Sequence, residues 1–204
     1  MKAFRNTLEA YCYEVKSNLD SYGAWEKYCE DELRKKTVAE LAECVDWIYG
    51  DGESAPLIDY KKKMDAFKQV GEPVKARHYY YSELEVYYAQ FEKLAENIKQ
   101  KLVSVAHLTD AQKETINKKL TSTETLIAAV KAEKATKKLY EDPTYTLDQI
   151  IAAIEVCKRE TEAIFNLPPP AVDALLAGSS EKKSEKAPDD AEMKNEEPKK
   201  EEAK

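Results

Sequence analysis

The chain has 204 residues, 43% of them apolar and 35% charged, and a net charge of −7. That is enough apolar material for one ordinary domain or two small ones, while five glycines are too few for a turn-rich β-sandwich or a phosphate-cradling loop. The acidic balance argues against a nucleic-acid binder, whose affinity comes from concentrated basic surface, and no run of about eighteen apolar residues is present to span a bilayer.

The amino terminus, MKAFRNTLEAY, lacks the apolar core of a secretory signal, and the final EEAK is not an endoplasmic-reticulum retention signal. The expected location is the cytoplasm. Abundant Ala, Glu, Lys and Leu favour helices, so the expected class is all-α.

From Phe4 the apolar positions run Leu8, Tyr11, Cys12, Val15 and Leu19, three or four apart, and stack along one face of a helix. Cys12 therefore belongs to a packing stripe, while Tyr13 falls off it and meets water or a partner. Ser21 and Gly23 supply the stop. A second helix carries Leu41, Cys44, Val45 and Ile48, and Thr37-Val-Ala-Glu40 has the form of a capping box at its start. The stretch from Tyr22 to Lys36 reads either as a separate turn of helix or as an earlier part of the same one. Gly50-Asp51-Gly52 is expected to end it through a left-handed glycine.

After Pro56 the pattern resumes with Leu57, Tyr60, Met64, Phe67, Val70 and Val74, and continues through Tyr81, Leu84, Tyr88, Phe91, Ala95, Ile98 and Leu102. Gly71-Glu72-Pro73 interrupts this long helix, and a kink or short break is expected at residues 70–73, because proline removes a hydrogen bond and crowds the preceding turn. Helical on both sides, the rod would be about 65 Å long at ~1.5 Å per residue.

Two more capping boxes, Thr109-Asp-Ala-Gln112 and Thr146-Leu-Asp-Gln149, open helices carrying Ile116, Leu120, Ile127 and Val130, and then Ile150, Ile154, Cys157, Ile164 and Phe165. Asp142-Pro143 breaks the chain between them. LEAYCYEV from Leu8 resembles LEVYYAQF from Leu84; a duplicated three-helix unit and chance amphipathic similarity explain this equally well.

The organisation expected is two consecutive three-helix bundles, residues 1–72 and 73–167, sharing the long kinked helix. Residues 168–204 follow as a Pro-rich linker and a disordered charged tail, because they offer little to bury.

Few residues invite chemistry. Cys12, Cys29, Cys44 and Cys157 show no C-x-x-C spacing, and His78 and His107 are far from them, so no metal site is expected. The carboxylate runs Glu30-Asp31-Glu32 and Glu201-Glu202 read as solvated faces, since a working acid/base pair needs a cleft that raises one pKa. The histidines read as loop or surface residues, with no nucleophile arranged beside them. Neither catalysis nor a cofactor is expected. The unusual feature is thirteen tyrosines, among them Tyr79-Tyr-Tyr81 and Tyr87-Tyr88. Either two helices flank that segment and bury both its faces, or one face meets a partner.

Arg5-Asn6-Thr7-Leu8-Glu9-Ala10-Tyr11-Cys12-Tyr13, then Trp47-Ile48-Tyr49-Gly50-Asp51-Gly52, then Pro73-Val74 followed by Arg77 and Tyr79, resembles the carboxyl-terminal helical region of the 110-kDa heat-shock proteins, large relatives of the 70-kDa heat-shock chaperones. The resemblance covers the first hundred residues well and the segment to Phe165 loosely. It implies a lid region acting as co-chaperone and nucleotide-exchange partner by contact with the ATPase domain of a 70-kDa chaperone, with Asn6 and Glu9 as partner-contact residues. Unfolded protein clients are a further implied partner class. Family members bind ATP through an actin-like domain that these residues do not contain. Asn6 and Glu9, three apart on one exposed side of the first helix, also fit an ordinary solvated face. The rival reading is a freestanding helical scaffold or adaptor that binds an unrelated protein through its Tyr-rich helix.

Overall fold

In a computed structural model of the chain, residues 2–169 are described. Their five α-helices are α1 (Lys2–Leu19), α2 (Asp31–Tyr49), α3 (Leu57–Ser104), α4 (Asp110–Thr136) and α5 (Leu147–Phe165), with short 3₁₀ turns at Glu26–Tyr28 and Asp51–Ser54. The class is all-α, and the long α3 links two groups of helices. The expected charged tail lies, beyond residue 169, outside the described residues, as do Glu201 and Glu202.

The first group packs α1 and α2 against each other and against the first part of α3. Leu8, Cys12, Val15 and Leu19 of α1 meet Leu41, Cys44 and Ile48 of α2 and Tyr60, Met64, Phe67 and Val74 of α3. The three-to-four spacing of these residues is what turns them all inward. Leu8, Leu19, Leu41 and Ile48 are completely enclosed; burying a side chain of that size contributes about 1.5–3 kcal/mol. The second group surrounds the rest of α3, where Leu84, Tyr88, Phe91 and Ile98 pack with Ile116, Leu120, Ile127 and Val130 of α4 and Ile150, Ile154, Cys157 and Phe165 of α5. Thr109 with Gln112 and Thr146 with Gln149 form reciprocal capping boxes at the starts of α4 and α5.

Three local points are decided by the structure. The first is the open start of α2, which lies at Asp31, so that residues 31–36 are the earlier part of the same helix and Thr37 does not cap it. Thr37 is buried inside the helix, and the earlier start places Arg34 where it can donate from Nη1 to the Leu19 carbonyl at 3.1 Å and from Nη2 to Asp31 at 2.7 Å. A cation there satisfies an orphan carbonyl at the end of α1.

The second concerns the glycines, none of which has positive φ among the described residues. There, the one non-glycine residue in the left-handed region is Tyr22, at φ 69°. Gly52 has a different reason to be glycine. A Cβ there would stand 2.6 Å from the Trp47 carbonyl and 2.8 Å from its ring, and the Tyr60 hydroxyl donates to the Gly52 carbonyl at 2.8 Å.

The third concerns Pro73, where a kink or a short break is expected. There is no break: α3 is helical through it for 48 residues, a length of about 72 Å at ~1.5 Å per residue. Proline forfeits the bond to the Gln69 carbonyl, yet the flanking residues are held from outside. Gly71 lies so close to α1 that a Cβ would meet the Tyr11 hydroxyl at 2.5 Å, and Val74 is fully buried. Packing against α1 therefore holds the helical path that the local rule would break.

Candidate functional site

Asn6 and Glu9 lie one turn apart on α1, about 60° from each other around its axis. Asn6 is exposed and lines a shallow cleft with Thr7, Ala10, Tyr11 and Glu14. Tyr11 closes the inner side by donating to Glu72 of α3 at 3.2 Å, and Glu14 accepts from Lys75 at 3.0 Å. Burial and the nearby Glu72 push the Tyr11 phenol well above its ordinary range. Glu9 lies on the flank nearer α2. It is half-buried and accepts a hydrogen bond from the Tyr49 hydroxyl at the end of α2.

Tyr49 is 59% exposed, and the Arg5 guanidinium lies 5.1 Å above its ring. Its bond to Glu9 raises the Tyr49 phenol pKa. Tyr13, 52% exposed, stands one turn further along α1. The two sequence-selected residues thus sit on neighbouring flanks of α1 and do not share one solvated side: one opens to a cleft and the other is bound to α2. The pairing of Glu9 with Tyr49 spans 40 residues. Sequence spacing holds only a partial signal of it, in that Tyr49 falls one position outside the buried phase of Leu41, Cys44 and Ile48.

The other candidates are accounted for by packing. All four cysteines are reduced and buried. Cys12 and Cys44 face each other across α1 and α2; their hydrogen bond and their burial push the Cys12 thiol up, and burial does the same to Cys29 and Cys157. The Cys12, Cys29 and Cys157 thiols are poor nucleophiles because the thiolate is the reactive form. Among the described residues, no three of His, Cys, Asp and Glu gather as a metal-holding group, and no helix is long and apolar enough to cross a membrane. Asp31 is paired with Arg34 at 2.7 Å and with Lys35 at 2.6 Å. His78 is half-buried, edge-on to Tyr28 at 5.4 Å. Of the tyrosine run, Tyr80, Tyr81 and Tyr88 are buried, so the segment is flanked on more than one side, while Tyr79 remains 58% exposed.

A polar network that sequence reading missed joins the two helix groups. Arg77 of α3 donates from Nε to the Tyr28 carbonyl at 3.0 Å and from Nη1 to Asp142 at 2.8 Å. Tyr28 packs against both hydrophobic groups and stacks on Tyr81 with centroids 5.7 Å apart. Beyond Asp142, Glu133 of α4 accepts from the Thr144 N–H at 2.8 Å and from Lys137 at 3.0 Å. Burial opposes the Glu133 charge, but the Thr144 backbone N–H, Lys137 and the Thr144 hydroxyl outweigh it and hold the carboxyl below the usual range.

Similarity to other proteins is partial. The chain is 38% identical over 73 residues to Heat shock 70 kDa protein 17 of Arabidopsis thaliana, covering 36% of this chain and 8% of that protein. It is 32% identical over 96 residues to Heat shock 70 kDa protein 4 of Homo sapiens, covering 47% and 11%. Part of the chain is homologous to chaperones of the 70-kDa heat-shock family. A longer match to Heat shock 70 kDa protein 4 of Rattus norvegicus is 24% identical over 176 residues and covers 83% of this chain and 21% of that relative. The matched region thus spans between 8% and 21% of the length of these three heat-shock relatives. No protein-family profile matches the chain, and no solved structure does.

Proposed function

We propose that the chain serves as the carboxyl-terminal helical region of a 110-kDa-class heat-shock chaperone in the cytoplasm. In this reading it makes no covalent chemistry. It acts by protein contact, as co-chaperone and nucleotide-exchange partner of a 70-kDa heat-shock chaperone, with α1 against the ATPase domain. The observation that carries the reading is the homology to heat-shock 70-kDa proteins, taken with an α1 surface where Asn6 is free in a cleft and Glu9 is held by Tyr49. Fixing Glu9 in one orientation lowers the entropy lost when a partner engages it. An all-helical body with buried thiols suits binding better than catalysis.

The test is calorimetric titration of the full chain into an isolated 70-kDa chaperone ATPase domain, with release of a fluorescent ADP analogue as a second readout. Asn6→Tyr combined with Glu9→Ala is expected to weaken binding at least about tenfold, a loss on the order of 1.4 kcal/mol, and to slow the accelerated release. Unchanged affinity in the double variant would remove α1 from the contact.

A further inference from the structure

Two thiols meet in the core of the first helix group. α1 and α2 run antiparallel, with Tyr49 bonded to Glu9 at one end of the pair and Arg34 bonded to the Leu19 carbonyl at the other. That register brings Cys44 of α2 opposite Cys12 of α1, between the two fastenings. Both cysteines are reduced, enclosed and packed in the same hydrophobic group as Leu8, Val15, Leu41 and Ile48. A facing pair on two packed helices is what a disulfide requires, since sulfurs carried on diverging Cα–Cβ vectors cannot be joined without moving backbone. The other two cysteines lack such a partner: Cys29 lies in the connection before α2, and Cys157 belongs to the second hydrophobic group.

The surroundings of the pair are asymmetric. Lys63 of α3 holds its ammonium over the Trp47 ring at 4.6 Å and forms no ion pair among the described residues, unlike Lys62 and Lys75 of the same helix. The hydrogen bond from the Cys12 thiol, joined by the Lys63 charge, holds the Cys44 thiol below its ordinary range against the opposing effect of burial. The same hydrogen bond and burial keep Cys12 protonated. One sulfur is thus prepared to attack and the other to resolve the product.

We propose that Cys12 and Cys44 form a thiol-oxidation site, joined as a disulfide by a hydroperoxide such as hydrogen peroxide. The Cys44 thiolate attacks one peroxide oxygen: an S–O bond forms, the O–O bond breaks, and the departing hydroxide takes up the proton released by Cys44, leaving water and a Cys44 sulfenic acid. The Cys12 sulfur then attacks the Cys44 sulfur: the S–S bond forms, the S–O bond breaks, and the second hydroxide leaves with the Cys12 proton as water. The two sulfurs give up two electrons and the peroxide takes them. Both sulfurs are enclosed, so peroxide reaches them when α1 lifts from α2, and the bridge records that opening. Once closed, it pins α1 to α2 one turn from Glu9. The site stands or falls without the partner contact proposed above.

Peroxide treatment of the full reduced chain at neutral pH, followed by mass spectrometry, tests this. The expected product is a monomer lighter by two hydrogen atoms, whose unreduced peptide map joins the Cys12 peptide to the Cys44 peptide, while Cys29 and Cys157 remain open to alkylation after unfolding. Dithiothreitol should restore the parent mass. Because the bridge closes a loop between the two helices, the oxidised chain is expected to melt at least about 5 °C above the reduced one. Lys63→Met keeps an apolar stem over Trp47 and should slow bridging several-fold with the same product; an unchanged rate overturns the role given to Lys63. Linkage to Cys29 or Cys157, dimers joined between chains, sulfinic or sulfonic acids without a bridge, or a folded chain that stays reduced overturns the proposal, and each is read on the parent chain. A lowered melting point overturns it too, since the sulfurs would then not be placed for a bond in the native packing.

Discussion

The Arg77 guanidinium holds the carboxylate of Asp142 at 2.8 Å while its Nε reaches the Tyr28 carbonyl at 3.0 Å. One side chain of α3 thereby fastens both the turn that follows α1 and the connection between α4 and α5. Arg77→Ala leaves the Tyr28 carbonyl without this donor and is expected to cost about 1–3 kcal/mol, the range for losing a charged hydrogen-bond partner in a part-buried site. Asp142 is 82% exposed, so Asp142→Asn should cost less than about 1 kcal/mol, as exposed ion pairs do. Urea midpoints of the two variants, at unchanged slope, check both the sign and the order.

Pro73 interrupts the hydrogen-bond ladder of a helix that stays intact around it. Pro73→Ala restores an N–H for the Gln69 carbonyl and removes the ring's crowding, and is expected to stabilise the chain by about 1–3 kcal/mol. A lowered urea midpoint would mean that the proline shapes a bend on which the packing of Gly71 against Tyr11 depends.

Tyr22 occupies the left-handed region at φ 69° while 98% exposed. Nothing is gained there from its side chain in burial, and the conformation costs a non-glycine residue roughly 1–2 kcal/mol. Tyr22→Gly should raise the thermal midpoint, with a gain of about 1 kcal/mol after the entropy of the more flexible unfolded chain is subtracted. Scanning calorimetry of the single variant decides it.

Glu133 has its carboxyl pKa lowered in the folded chain. A depressed acid contributes stability that is fully present above its unfolded pKa and is lost as pH falls through its folded value. The difference in stability between the parent and Glu133→Gln should therefore be largest near neutrality and shrink as pH is taken from about 5 down toward 3, below the usual carboxylate range. Parallel melts across that interval measure the difference directly. A constant gap would show that the Thr144 and Lys137 bonds do not depend on the charge.

Much of the fold was readable because helical burial is periodic. Leu8, Cys12, Val15 and Leu19 all face inward as their spacing requires, and two of the three capping boxes cap helices. The third, at Thr37, shares the same local pattern and lies inside α2. What decides between the two outcomes is Arg34, whose reach to Leu19 is a tertiary contact that a four-residue window does not contain. The helix continues past Pro73 for a similar reason, since the support comes from α1. The site was less legible. Spacing alone puts Asn6 and Glu9 on one solvated side, whereas Tyr49 holds Glu9 toward α2. Arg77, Asp142 and Tyr28 carry no periodic signal, because their relation depends on how distant segments pass one another.

The sharing of α3 between the two hydrophobic groups has a thermal consequence. Melting either group uncovers part of one 48-residue helix, and a helix stripped of cover survives poorly in water. Loss of cover at the Leu8 end therefore weakens the same helix on which Phe165 packs, and the two groups are expected to lose their order in a single calorimetric transition.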